Sequence, residues 1–279
     1  MNHQYEVGIY EKAFPEGLPF PEMLSVAKDS GYDFYEINID RTDYRISRLY
    51  DESFVPGLER AVRQSGFPVR SLGLSALSTY TLGNEDASVA EKAVDIFQRA
   101  VLFAERLGIR MIQIPGCDVP KEGVSTENTN RRFYDNVRRM TEFASSHGVP
   151  VGVENMENDY MNSVGKTMKL ISAADSPYLQ LYPDSGNISN AFSQDMDAIK
   201  TDMDKGKGHY LAFHFKESKP GRFGGLYYGE GCVDFAPIAK KAYALGARRF
   251  AMEYWYTGNP AWKEDLRKAR LLCDSWITE

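Results

Sequence analysis

A chain of 279 residues that is 43% hydrophobic and 26% charged has the composition of a soluble globular protein, and α/β barrels of this size form one unit. No apolar run approaches the roughly 20 residues needed to span a bilayer, and a net charge of -6 weighs against a nucleic-acid surface, which is normally basic. A small anionic substrate stays compatible with that charge, because a few local lysines or arginines suffice to hold it.

The N-terminal stretch "MNHQYEVGIY" shows no basic region followed by an apolar segment, so no signal peptide is expected. Cys117, Cys232 and Cys273 form no CxxC spacing, which argues against a disulfide framework or a zinc ribbon and fits a reducing cytoplasm.

In chain order, one phrase repeats: an amphipathic segment, a glycine, then a short apolar strand. A first strand is predicted at 6–10. "AKDSGYDFYEINI" closes its helix at Gly31 before a strand at 34–39, and "AVRQSGFPVRSLGL" does so at Gly66 before one at 69–76. The segment "DASVAEKAVDIFQRAVLFAERLG" has apolar residues at helical spacing and ends at Gly108 ahead of a strand at 110–115. Gly148 precedes a strand at 150–154, strands follow at 179–184 and 210–216, and Gly246 precedes the last at 249–255. A glycine just past a helix end accepts the left-handed conformation that closes the last turn. Strands alternating with helices imply parallel pairing with right-handed crossovers. Eight such units predict a closed (β/α)₈ TIM barrel, with no linker or composition shift to split residues 1–279 into two domains. Loops at 41–53, 117–130 and 219–233 are long enough to build a pocket.

In a barrel strand, alternate side chains face the helices and the lumen. In "LAFHFK", Phe213 and Phe215 suit the helices, which turns Ala212, His214 and Lys216 inward. The same phase turns Gly152 and Glu154 inward in "PVGVEN", and Gln180, Tyr182 and Asp184 in "LQLYPDSGN". In "RFAMEYW" it turns Ala251, Glu253 and Trp255 inward. Strands five to eight therefore each deliver one potential ligand at the C-terminal end, where barrel active sites sit: Glu154, Asp184, His214 and Glu253. A lone strand histidine is usually a hydrogen-bonded core residue, and a lone strand-end aspartate is often a helix cap. Four in phase on successive strands are better explained by a divalent cation, Mn²⁺, Mg²⁺, Co²⁺ or Zn²⁺, because unpaired carboxylates in a lumen repel one another. His214 is then a neutral imidazole ligand. His3, His147 and His209 are expected to be structural or surface residues.

The phrases "GVEN", "YPDSGN", "HFKESKPG", "GEGCVDF" and "MEYW" resemble the xylose-isomerase-like barrel of sugar isomerases and epimerases. With "GIYEKA", "RISRL" and "NSVGK", the chain looks, essentially end to end, like the L-ribulose-5-phosphate (L-xylulose-5-phosphate) 3-epimerases of pentose and ascorbate catabolism. Glu217, taken with Lys216, Lys219 and Arg222 as a candidate substrate contact, departs from the pattern, which places an aspartate there, and "ENMENDYMN" also differs in detail.

The resemblance implies removal of the C3 proton beside a C2 ketone and its return on the other face through an enediolate. It implies Glu154 and Glu253 as the acid/base pair, each also a metal ligand, with Asp184 and His214 as ligands only. Barrels of this type often dimerise, so a homodimer is an expectation from the same source. The phosphate is expected near the seventh loop, where Lys216, Lys219 and Arg222 join glycines whose N–H groups can approach an anion. Arg41, Arg45 and Arg48 are rivals for that task or form a lid. Inward Glu36 is assigned to a sugar hydroxyl, with an internal arginine as the alternative, while Trp255 and Tyr10 can pack against the carbon chain. A related ketose 3-epimerase or an aldose–ketose isomerase would use the same metal and base. A phosphodiesterase of the endonuclease-IV type would need more histidines than four, and a non-enzymatic sugar-binding barrel would not need paired carboxylates.

Overall fold

The structure is a computed structural model that describes residues 4–278. His3 lies outside the described residues. Among the described residues there are eight strands: β1 Glu6–Tyr10, β2 Phe34–Asn38, β3 Val69–Gly73, β4 Met111–Pro115, β5 Val151–Glu154, β6 Leu179–Leu181, β7 Phe213–Lys216 and β8 Arg249–Glu253. Between and after them run α1 Phe20–Asp29, α2 Asp43–Ile46, α3 Phe54–Ser65, α4 Ala87–Leu107, α5 Glu127–Ser146, α6 Val164–Ala174, α7 Ser185–Ala191, α8 Met196–Asp204, α9 Phe235–Ala244 and α10 Trp262–Thr278. All five glycines expected to end helices have positive φ, from 61° at Gly66 to 108° at Gly246. That is the conformation an L side chain resists and glycine accepts.

The strands pair in parallel in the order β6-β5-β4-β3-β2-β1-β8-β7. The two end strands meet through isolated parallel bridges, Leu181 with Tyr210 and Asp184 with His214, so the ring closes along a seam rather than a continuous ladder. The expected barrel is therefore present, with shorter strands than the apolar runs suggest. Residues 75–78 of the third run turn into a 3₁₀ segment, and 182–184 and 210–212 lie outside regular strands.

Alternation sorts the side chains as expected. Outward Phe215 stacks on Phe250 at 5.2 Å and meets Trp276 of α10 edge-on at 5.5 Å. Burying a side chain of that size contributes about 1.5–3 kcal/mol. Inward Phe34, Met111, Tyr182 and Ala212 form a separate apolar plug in the lumen. Gly8 and Gly152 make room for it, since a Cβ at Gly8 would lie 2.2 Å from the Phe34 ring and one at Gly152 would lie 2.7 Å from Tyr182 Cβ. This plug closes the floor beneath the C-terminal mouth.

Two of the three long loops are partly regular. The 41–53 segment carries α2 and a 3₁₀ turn, Ser47–Leu49. The 117–130 loop stops at Thr126, which caps α5 in a reciprocal pair with Thr129. No helix among the described residues is long and apolar enough to cross a membrane.

Candidate metal centre

The four strand-end residues converge. One ligand atom from each of Glu154, Asp184, His214 and Glu253 lies within 4.8 Å of all the others, and all four residues are buried. Asp184 and His214 are brought together by the closing bridge itself, in which His214 N–H donates to Pro183 O at 2.8 Å. Asp184 also caps α7, as a lone strand-end aspartate would: its Oδ1 accepts from Asn187 N at 2.7 Å. Its second oxygen, Oδ2, is buried with no hydrogen-bond partner.

His214 Nδ1 and Glu253 Oε2 are likewise buried without a hydrogen bond, although they approach to 2.9 Å. Buried polar atoms are nearly always satisfied. Three unpartnered acceptor-type atoms from three residues of one converging cluster fit the ligand set of a divalent cation. Three carboxylates and one imidazole suit a hard or borderline divalent ion, so the residues present match the group expected.

The tautomer is set from below. His214 Nε2 lies 2.7 Å from Glu36 Oε1, so Nε2–H donates there and leaves the Nδ1 lone pair for the centre. Glu36 was expected at a sugar hydroxyl, and the structure corrects this. It is fully buried, and its other oxygen accepts from Tyr182 OH at 2.5 Å and from Ser71 Oγ. Glu154 is steadied by Gln113 Nε2, which donates to Oε2, and by Asn187 Nδ2 at 3.4 Å from Oε1. Asn155 joins the same shell, its Oδ1 accepting from Asp184 N at 2.8 Å.

Lys216 is also not where the seventh-loop reading put it. It is buried, and its Nζ lies 3.2 Å from Asp184 Oδ1, 3.6 Å from Glu154 Oε1 and 3.9 Å from Glu253 Oε2. Burial disfavours its charge, but these carboxylates outweigh that and raise its pKa. Burial, with Glu253 and Glu154 adding repulsion, pushes Asp184 up to about 7 despite Lys216. Burial acts the same way on Glu253, but Lys216 and His214 prevail and hold it at about 2. For His214, burial works against the charged form, yet Glu36, Tyr182 and Glu253 raise its pKa well above the usual value. A bound cation would replace that proton.

Glu217 is a third correction to the substrate contacts. Its carboxylate accepts from the backbone N–H groups of Ser218, Gly229 and Val233 at 3.0, 2.9 and 3.1 Å, which pins the seventh loop rather than facing the mouth. Gly231 is needed there, because a Cβ would lie 2.3 Å from Glu217 Oε1. Lys219, Arg222 and Trp255 do come together, around a cavity of about 510 Å³ shared with Gly225, Tyr256 and Thr257.

The rival arginines separate. Arg48 is buried and makes two bonds to Glu11, at 2.7 and 2.8 Å, while Arg45 pairs with Asp40 at 3.2 Å. Thus "GIYEKA" and "RISRL" hold each other. Arg41 remains exposed and lines a second cleft, about 420 Å³, with Lys12, Thr42 and Lys121. Tyr10 is buried, and its hydroxyl accepts from Asn38 Nδ2 at 2.7 Å. His147 and His209 are structural, 2.9 Å from Glu105 and 3.1 Å from Gln180 respectively. The supporting polar shell of Ser71, Gln113, Asn155, Tyr182 and Asn187 was not singled out as site residues from sequence. The inward strand phase of Ser71, Gln113 and Tyr182 is the signal that points to it.

Residues 24–272 match the xylose isomerase-like TIM barrel family, and the chain belongs to that family. It is 39% identical over 236 residues to the L-ribulose-5-phosphate 3-epimerase UlaE of Escherichia coli O157:H7 (strain EC4115 / EHEC), covering 84% of this chain and 81% of that protein. Its fold is similar to a solved L-ribulose 3-epimerase, with a TM-score of 0.77 and 19% identity over 98% of this chain and 94% of the other. It is also similar to the IolI protein solved with a bound zinc atom, with a TM-score of 0.76 and 15% identity over 98% of both chains.

Proposed function

We propose that this member of the xylose isomerase-like family is a metal-dependent ketose-phosphate 3-epimerase that interconverts L-ribulose 5-phosphate and L-xylulose 5-phosphate on one barrel. The observation that carries the reading is the convergence of Glu154, Asp184, His214 and Glu253 on one point with three acceptor atoms unsatisfied. The 39% identity to an L-ribulose-5-phosphate 3-epimerase supports the substrate.

Glu154, Asp184, His214 and Glu253 would hold the divalent ion. When bound, the ion supplies positive charge that acidifies the C3–H next to the ketone and offsets the charge of the enediolate. Glu154 and Glu253 act as base and acid: one takes the C3 proton and the other returns a proton to the opposite face. Their exposure supports this division of labour. Each glutamate keeps 6% of its surface open, against 0% for Asp184 and 2% for His214. Glu36 keeps His214 in one tautomer, and Gln113 and Asn187 keep Glu154 from swinging away. The apolar plug of Phe34, Met111, Tyr182 and Ala212 excludes water from below. Lys219 and Arg222, beside Trp255, bind the phosphate.

Incubating the protein and Mn²⁺ with L-ribulose 5-phosphate in D₂O and following the sugar by NMR tests this. The C3 epimer is expected, with solvent deuterium entering at C3. Formation of an aldose alone would replace the epimerase by an aldose–ketose isomerase.

A further inference from the structure

The centre contains one lysine. Lys216 extends from the inward face of β7, and its ammonium lies within 3.9 Å of a carboxylate oxygen on each of Asp184, Glu154 and Glu253. No other lysine or arginine among the described residues is within ion-pair distance of any of the three. Its nearest contact is Asp184 Oδ1, the oxygen that caps α7, and not Oδ2, the orphaned one. The lysine therefore stands beside the four-residue cluster: it is nearest to the capping oxygen of Asp184 and farthest, at 3.9 Å, from the orphaned Glu253 Oε2.

Three carboxylates gathered in a buried space repel strongly, since Coulomb energies grow as the dielectric falls. A charge that neutralises them in the absence of metal also opposes the arrival of a second positive charge at the same spot. We propose that Lys216 is the resident counter-cation of the centre: it keeps the carboxylates converged when no ion is bound and sets the affinity for the ion by competing with it. This rests on the metal-centre reading above and adds to it a residue that positions the ligands.

Lys216→Met removes the charge and keeps an unbranched side chain. Two quantities are read on chelator-stripped protein: the melting temperature without metal, and the dissociation constant for Mn²⁺ by titration calorimetry. The variant should melt several degrees lower than the parent without metal and bind Mn²⁺ about tenfold tighter or more. Adding Asp184→Asn to Lys216→Met removes the opposing charge while keeping a good helix cap, so the metal-free melting temperature should recover if the effect is electrostatic. An unchanged metal-free melting temperature, failure of the double variant to recover it, or unchanged or weaker Mn²⁺ binding by Lys216→Met would overturn the proposal. If Lys216→Met folds only with metal, recovery in the double variant decides in the same way. Absence of Mn²⁺ binding by the parent protein would instead strike the metal-centre reading, and the melting comparison would still report on Lys216.

Discussion

Glu36 holds His214 through a 2.7 Å contact to Nε2, and this contact fixes which imidazole nitrogen faces the three carboxylates. The glutamate is fully buried and shares its second oxygen with Ser71 and Tyr182, so it belongs to the support of the centre. Partners of this kind raise the basicity of a ligating histidine and lock its orientation. Glu36→Gln is expected to weaken Mn²⁺ binding by about 10- to 100-fold with an unchanged circular dichroism spectrum. Calorimetric titration reads it, and parental affinity would show that Glu36 does not orient the ligand.

Glu154→Gln and Glu253→Gln should each lower turnover by at least ~100-fold, the range of a lost general acid or base. Both positions are on the ends of barrel strands, β5 and β8, and the folded content should not change. Turnover of the C3 epimer by NMR, with circular dichroism as the folding control, checks each variant. Either single variant retaining activity would remove the scheme of two bases.

Arg48 and Glu11 form a buried bidentate pair under the mouth, and the guanidinium also covers the Phe20 ring at 5.2 Å. Removing one partner of such a pair leaves a buried charge and costs about 3–5 kcal/mol. Arg48→Ala should therefore lower the melting temperature by roughly 6–20 °C. A shift near zero in a thermal melt would mean that the pair is not structural.

Glu217 is the anchor of the seventh loop, accepting from three of its backbone N–H groups. Glu217→Ala should loosen the segment from Lys219 to Gly231, raising the KM for the sugar phosphate several-fold and speeding proteolytic cleavage there. Unchanged KM and an unchanged cleavage pattern would contradict the anchoring role.

The strand phase was legible because parallel barrel strands alternate strictly, and His214, Glu154 and Glu253 follow from that alternation, while Asp184 lies past the end of β6 and keeps the phase through its isolated bridge to His214. Depth along the barrel axis was not. Glu36 points inward as read, but one layer lower, where Ser71 and Tyr182 saturate it, and the stagger between strands that sets this layer leaves no local mark in sequence. Lys216 shares the phase of His214, yet a four-carbon stem can reach the loop or the centre, and the nearby carboxylates decide. Glu217 reads like a mouth residue because it follows the strand directly. Its partners Gly229 and Val233 are a dozen or more residues on, a separation that pattern reading does not bridge. The register shift between Tyr35 and Glu36 opposite β3 was equally hidden, since nothing in "VRSLG" marks a bulge.

Anomalous scattering from a crystal grown with Mn²⁺ tests the central claim most directly. A single strong peak within bonding distance of His214 Nδ1, Asp184 Oδ2, Glu253 and Glu154 is predicted. A peak elsewhere, or none at that point while the protein is catalytically active, would contradict it.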